Sequence, residues 1–359
     1  MHTPRPSSPH RGRGATGQPP NRFERLAVTL DDEFVAEQSG PRTQFFRDAA
    51  RTIISRNDSP DIPFGASINA YRGCEHGCAY CYARPYHEYL GFSSGLDFES
   101  RIMIKPDAPA LLRAELSSPK WQPQSLAMSG VTDCYQPAER KLEITRGCLA
   151  VLAEFRNPVG IVTKNHLVTR DRDHLASLAA HHAARVYLSI TTLDTDLSSR
   201  LEPRASRPAH RLAAIRELTD AGIPVGVMVA PIIPGMNEHE IPAIVDAAAR
   251  AGARFAGYTL LRLPHAVKDV FRTWLETHFP DRVDKVLNRV RDLRGGRLNV
   301  STFGERFRGS GLFADKIARL FEVSARRAGL NRNRDRLSIA AFRRPPPAQM
   351  ELFLPRDPQ

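Results

Sequence analysis

Tyr71-Arg72-Gly73-Cys74-Glu75-His76-Gly77-Cys78-Ala79-Tyr80-Cys81-Tyr82-Ala83-Arg84-Pro85 gathers three cysteines into one C-x3-C-x2-C loop. A 4Fe-4S cluster is ordinarily held by four thiolates, so three leave one iron free for an outside ligand, as a catalytic metal site keeps a position open. The alternative reading of the same residues is a zinc knuckle completed by His76.

Around this loop the pattern is that of a parallel sheet with crossover helices, short apolar runs alternating with helical periodicity from Ile62 onward. A first strand near Ala66 to Tyr71 delivers the loop. Successors are expected at Leu126 to Ser129, Val159 to Thr163, Val186 to Ile190, Val225 to Ala230 and Phe255 to Leu261. Helices are expected between them at Ala108 to Leu116, Ile144 to Phe155, Asp171 to His181, Pro208 to Ala221 and Glu238 to Ala251. Asp107, Thr145 and Asp171 are the expected caps, and Gly222 and Gly252 the left-handed helix ends. Six βα units are too few to close an eight-stranded barrel.

The cysteine spacing, the flanking glycines and the aromatic Tyr80 before the last cysteine resemble the signature of the radical S-adenosylmethionine (radical SAM) enzymes. The resemblance implies an α/β fold, a partial (β/α)6 barrel, which the count of six units matches. It also implies a 4Fe-4S cluster on Cys74, Cys78 and Cys81, whose free iron chelates S-adenosyl-L-methionine. One electron from an external reductant would then cleave that cofactor to a 5'-deoxyadenosyl radical.

In parallel α/β folds ligands bind beyond the carboxyl ends of the strands, where this chain places Ser129-Gly130, Thr163-Lys164-Asn165 and Ser189-Ile190-Thr191. With Val162-Thr163-Lys164 at the third strand, these segments look most like the spore photoproduct lyase-like branch. By that resemblance Lys164 pairs with the cofactor carboxylate, Ser129 and Ser189 hydrogen-bond its polar groups, and Tyr80 lies near the adenine. The lyase of that branch uses a cysteine hydrogen donor after the second strand, where Ser129-Gly130 stands here. Cys134, four residues on, is the candidate for that role from a shifted place. Cys148 falls on the apolar face of a helix, as a core residue would. Polar residues also expected near the mouth include Asp133, Tyr135, Gln136, Arg140, Asp194, Glu202 and Arg211, although Glu202-Pro203-Arg204 reads first as a turn.

Of the formal charge of +12, a net +11 lies between Arg262 and Pro345, where 20 Lys and Arg face 9 Asp and Glu. Charge so clustered is the footprint expected of a surface that binds phosphates. This basic segment carries helical periodicity at Val267 to Phe279, Arg282 to Leu293 and Phe313 to Ala328. Beyond it, Gln349-Met350-Glu351-Leu352-Phe353 resembles the short peptide by which bacterial repair and replication proteins dock on the DNA sliding clamp.

The expected organisation is therefore an N-terminal extension over 1–59, its first twenty residues disordered, and a core over 60–263. A basic helical segment over 264–342 and a flexible tail over 343–359 follow. No apolar stretch reaches the ~20 residues of a membrane span, and the polar start lacks the apolar segment of a secretory signal. These features, with only five cysteines, suggest a reducing, cytoplasmic setting. The function expected is an enzyme, lyase-like or transferase, that abstracts hydrogen from a nucleic-acid substrate in DNA repair or modification. The alternatives are radical modification of a protein or small molecule, and a non-catalytic, metal-containing DNA-binding module.

Overall fold

The structure, a computed structural model, describes residues 12–15, 17–19, 21–23, 42–128, 130–332 and 336–346. Ser129 and the Gln349 to Phe353 peptide fall outside the described residues.

Ten strands form two sheets: β1 Gln44–Arg47, β2 Ile54–Arg56, β3 Ala66–Ile68, β4 Tyr71–Arg72, β5 Arg101–Ile104, β6 Leu126–Met128, β7 Val159–Thr163, β8 Ala184–Ser189, β9 Val225–Ile232 and β10 Phe255–Leu260. The large sheet has the order β10-β9-β8-β7-β6-β3-β2. Every pairing from β3 through β10 is parallel, and β2 runs antiparallel at the edge. The six parallel strands are those expected from the sequence. Each lies beside its predecessor, so their carboxyl ends and the loops that follow them gather on one side. The expected first strand is divided: β3 joins the large sheet, while β4 turns away to pair with β5 in a small sheet ordered β1-β5-β4.

The crossover helices are α1 Ala108–Ser117, α2 Ile144–Phe155, α3 Arg172–Ala179, α4 Pro208–Asp220 and α5 Ile241–Arg250. Val159, Ile161, Val186, Leu188, Val225 and Val227 are fully buried within one core that also takes in helix residues such as Leu149, Leu178, Ile215 and Ile244. Parallel strands buried on both faces need such β-branched runs, and truncating one of these residues to alanine would cost about 2–5 kcal/mol. Gly252 ends α5 in the left-handed region at φ +104°, as expected, and Thr219 leaves a Cβ there only 2.8 Å of clearance. The expected caps behave differently. Asp107 and Asp171 stand at N-cap positions without a side-chain capping bond, Asp107 pairing with Arg47 and Asp171 with Arg146 and Arg170. Thr145 lies inside α2, where its hydroxyl donates to the Cys134 carbonyl at 2.7 Å.

After β10 come α6 Val267–His278, α7 Val283–Asp292 and α8 Leu312–Arg327. This segment covers the β10 edge: Leu260 N–H donates to Phe307 O at 2.9 Å, and the Asn331 amide exchanges two 3.0 Å bonds with the Ala256 backbone. An edge strand so covered cannot template pairing with another chain. The start of the expected tail is also docked, Arg343 N–H donating to Phe155 O at 2.9 Å and Arg344 to Trp121 O at 2.8 Å. Residues 12–15, expected to be disordered, pack against Gly77 of the cysteine loop and Glu99, and residues 17–19, equally so expected, against Ser93 to Asp97. Among the described residues, no helix is long and apolar enough to cross a membrane.

Candidate active site

The cysteine loop leaves β4 and is held at both ends. Cys74 N–H donates to Phe98 O at 2.8 Å, and the Gln136 amide bridges Glu75 N–H and Gly73 O at 2.9 and 3.2 Å. Farther on, the buried Arg84 guanidinium donates from Nε and Nη2 to Cys78 O at 3.1 and 2.8 Å and pairs with buried Glu99. Cys74, Cys78 and Cys81, all free thiols, line a cavity of about 520 Å³ at the carboxyl ends of the parallel strands. A second cavity, of about 540 Å³, lies beside His166 and Arg170 and is lined by none of the three.

Burial pushes all three thiols up, with Asp133 adding to the effect at Cys74 and Glu202 at Cys78, while Arg84 pulls Cys81 down and Lys164 pulls Cys78 down. Soft donors that are costly to ionise bare, gathered on one wall, suit an iron-sulfur cluster that supplies the missing positive charge. Among the described residues no three His, Cys, Asp or Glu side chains converge to hold a single ion. A cubane needs no such convergence, because each thiolate binds a different iron. His76 is also unsuited to complete a zinc knuckle. Its Nδ1 faces Asp133 at 3.4 Å and its Nε2 faces Asn165 Nδ2 at 3.3 Å, so both ring nitrogens are engaged.

Opposite the cysteines, Lys164 follows β7 and points across β8 to β9. Its Nζ donates to Ser189 Oγ at 2.7 Å, Ala230 O at 2.9 Å and Thr191 Oγ1 at 3.3 Å, with Glu202 Oε1 also at 3.3 Å. Tyr80 hydroxyl donates to Glu202, and the Lys164 ammonium stands 5.8 Å from the Tyr80 ring centre. Glu202 therefore joins Tyr80, Thr191, Lys164 and the buried Arg211. Burial alone would raise its carboxyl, but Arg211 and Lys164, with bonds from Thr191 and Tyr80, hold it well below the usual carboxylate range. Burial likewise opposes ionised Asp133, and His76 with the Lys164 and Tyr135 backbone N–H groups overcomes it, lowering the carboxyl.

The structure thus brings together Cys74, Cys78, Cys81, Tyr80, Lys164 and Ser189 in one cavity. Ser129 lies outside the described residues. Cys134 is only 3% exposed and sits in the main core with Cys148, so the structure lends no geometry to a hydrogen-donor role. The turn reading of Glu202 understated it, since its partners come from the cysteine loop, from beyond β8 and from α4.

Sequence reasoning missed the far wall, which Arg262, Asn299, Arg306 and Phe307 form together with Tyr82, Tyr86 and Tyr89. Arg262 lies over the rings of Tyr82 and Phe307 at 5.7 and 4.8 Å, and its Nε and the Asn299 Oδ1 are buried without hydrogen-bond partners. The alternation of Tyr and Arg was the only local signal.

A parallel sheet whose carboxyl ends surround a three-cysteine loop defines a cluster-bearing α/β domain. The sequence matches the Radical SAM superfamily over residues 68–248, just over half of its length, and the chain belongs to that superfamily. Members are enzymes that use a 4Fe-4S cluster and S-adenosylmethionine. An uncharacterised protein of Mycobacterium tuberculosis is 34% identical over 226 residues, covering 62% of this chain and 66% of the relative. One from Methanocaldococcus jannaschii is 27% identical over 223 residues, covering 62% and 80%. The chain thus spans slightly under two thirds of the mycobacterial relative. Among solved structures, a cysteine-to-serine mutant of spore photoproduct lyase shares the fold at TM-score 0.58 and 18% identity, over 80% of each chain. The same lyase complexed with dinucleoside spore photoproduct gives 0.58 and 17% over the same shares.

Proposed function

We propose that this chain is a radical SAM enzyme that abstracts hydrogen from a nucleic-acid substrate, in DNA repair or nucleic-acid modification. The carrying observation is one cavity lined by the three cysteines, by Lys164 and by a group of Arg262, Asn299 and the tyrosines. A bound cluster would supply one-electron reduction of S-adenosylmethionine by an external reductant, the chemistry that yields a hydrogen-abstracting 5'-deoxyadenosyl radical. Cys74, Cys78 and Cys81 would hold the cluster. Lys164 supplies a positive charge for the cofactor carboxylate, Ser189 a hydroxyl, and Tyr80 an aromatic face beside them. The run of six parallel strands supports the partial (β/α)6 barrel as the frame.

The far wall suits nucleotides. Tyr86 and Tyr89 are 54% and 65% exposed at the mouth, and a base stacked on such a ring gains about 1–3 kcal/mol. The unpartnered Arg262 donor and Asn299 acceptor, buried in this wall, are of the two kinds found on the mixed edge of a base. The basic segment beyond Arg262 supports phosphate contacts, and the lyase neighbour's dinucleoside ligand accords with a nucleotide here. The buried place of Cys134 lends no support to a hydrogen donor at that residue. The clamp-like peptide, the basic surface and five free cysteines fit a cytoplasmic, DNA-associated enzyme.

The test is deuterium transfer. The reduced, reconstituted protein is given S-adenosylmethionine with deuterated single-stranded DNA, duplex DNA, RNA or a peptide pool. Deuterium in 5'-deoxyadenosine from a nucleic acid supports the reading, and transfer only from peptide overturns the substrate assignment.

A further inference from the structure

We propose that residues 12–15, 17–19 and 21–23 form a working part of the cluster site, a strap that fixes the cysteine loop from behind and carries Arg22 to the cavity mouth. This rests on Cys74, Cys78 and Cys81 holding the cluster. The strap begins Gly12-Arg13-Gly14-Ala15, a run whose composition suggested only disorder. One of its glycines, and one glycine that it crosses, meet backbone where no side chain fits. A Cβ on Gly14 would overlap the carbonyl oxygen of Gly77, inside the cysteine loop, and one on Gly95 would overlap the carbonyl oxygen of Gly17. Glycine at such crossings permits close backbone approach.

Glu99 ties strap and loop together. Its buried carboxylate accepts from Gly14 N–H at 3.1 Å and Ala15 N–H at 2.8 Å, and pairs with the same Arg84 that binds the Cys78 carbonyl. Two charged side chains, Glu99 and Arg84, thus join the strap backbone to a cluster ligand's own backbone. Ala15, 1% exposed, packs with Leu96 and Val270, which seals the strap over this buried charge. Farther on, the Asn21 amide donates to Glu88 O and Phe92 O at 3.0 and 3.2 Å. Arg22 pairs with Glu88, and its guanidinium stands 5.5 Å from the Tyr89 ring centre where it lines the cavity.

With the strap removed, the Glu99 carboxylate loses two donors, the back of the loop opens to water and oxygen, and the mouth loses one cation. Gly14 and Glu99 are positioning residues in this account, acting on the cluster through Arg84 and Cys78.

The experiment compares the full chain with a deletion of residues 1–23, Gly14→Val and Glu99→Gln. Amide hydrogen exchange over residues 74–84 is measured without cluster, and iron content and the air half-life of the cluster absorbance after reconstitution. A hydrogen bond to a charged group sets an expected change of about tenfold, in faster loop exchange and shorter half-life, in each variant. Adding a peptide of residues 1–23 should restore protection to the deletion, and the same peptide carrying Gly14→Val should not. Exchange and half-life within about twofold of the parent in folded Gly14→Val and Glu99→Gln proteins would overturn the strap. Failure of the parent chain to hold a 4Fe-4S cluster overturns the ligand reading instead, and the exchange measurement still decides the strap.

Discussion

Glu202 is the point through which the polar contacts of the cavity run. Replacing it with Gln leaves buried Arg211 without its anion and Lys164 without its nearest carboxylate. Breaking one side of a buried pair costs about 3–5 kcal/mol, so chemical denaturation of Glu202→Gln should show a loss in that range, and a loss below ~1 kcal/mol would contradict the geometry. His87 supplies a pH test. Burial holds its imidazole down from 6.5 to about 4. Between those values the unfolded chain carries the extra proton, so stability falls as pH drops through that window, by roughly 3 kcal/mol for this residue. A pH series of unfolding free energies should show this slope, reduced in His87→Phe. The cysteines, Lys164 and Ser189 were legible because spacing and strand ends are local. Glu202 was among the polar residues expected near the mouth, but its linking role was hidden because its partners come from the cysteine loop, from beyond β8 and from α4.

The element scale shows the same division. β6 through β10 lie within one or two residues of their expected bounds because β-branched runs and helical glycine ends are local signals. Side-chain capping was misjudged, since Asp107 and Asp171 are drawn to arginines and Thr145 to the Cys134 carbonyl. The strap was illegible because Gly14 is required by the Gly77 backbone and its N–H group is held by Glu99, both tens of residues away. Coverage of β10 by the segment after α8 is equally nonlocal. Asn331→Ala should remove both bonds to Ala256, cost about 1–3 kcal/mol and speed exchange of the Ala256 amide. Unchanged exchange there would show that the edge is protected by other means.

Across the whole molecule, the positive charge gathered after Arg262 serves two ends. Arg294, 3% exposed, donates to Leu261 O at 2.6 Å and belongs to the packing. Arg289 is exposed on α7, where it pairs with Asp292 at 3.8 Å and lies over the Phe313 ring at 4.9 Å, a surface position from which it can meet phosphate. Retention on single-stranded DNA should therefore fall steeply with salt, with a logarithmic slope of about −0.7 per phosphate contacted. The slope should flatten in Arg289→Ala/Arg291→Ala without loss of stability, and an identical slope would remove these residues from the binding face. The central claim concerns the cysteine loop and the open position beside it. Its most direct measurement is release of 5'-deoxyadenosine from S-adenosylmethionine by the anaerobically reconstituted, dithionite-reduced chain. The account predicts 5'-deoxyadenosine from the parent protein, strongly reduced release from Lys164→Met and none from Cys78→Ala. A parent chain that binds zinc tetrahedrally, or carries a reduced cluster and releases none, would contradict it.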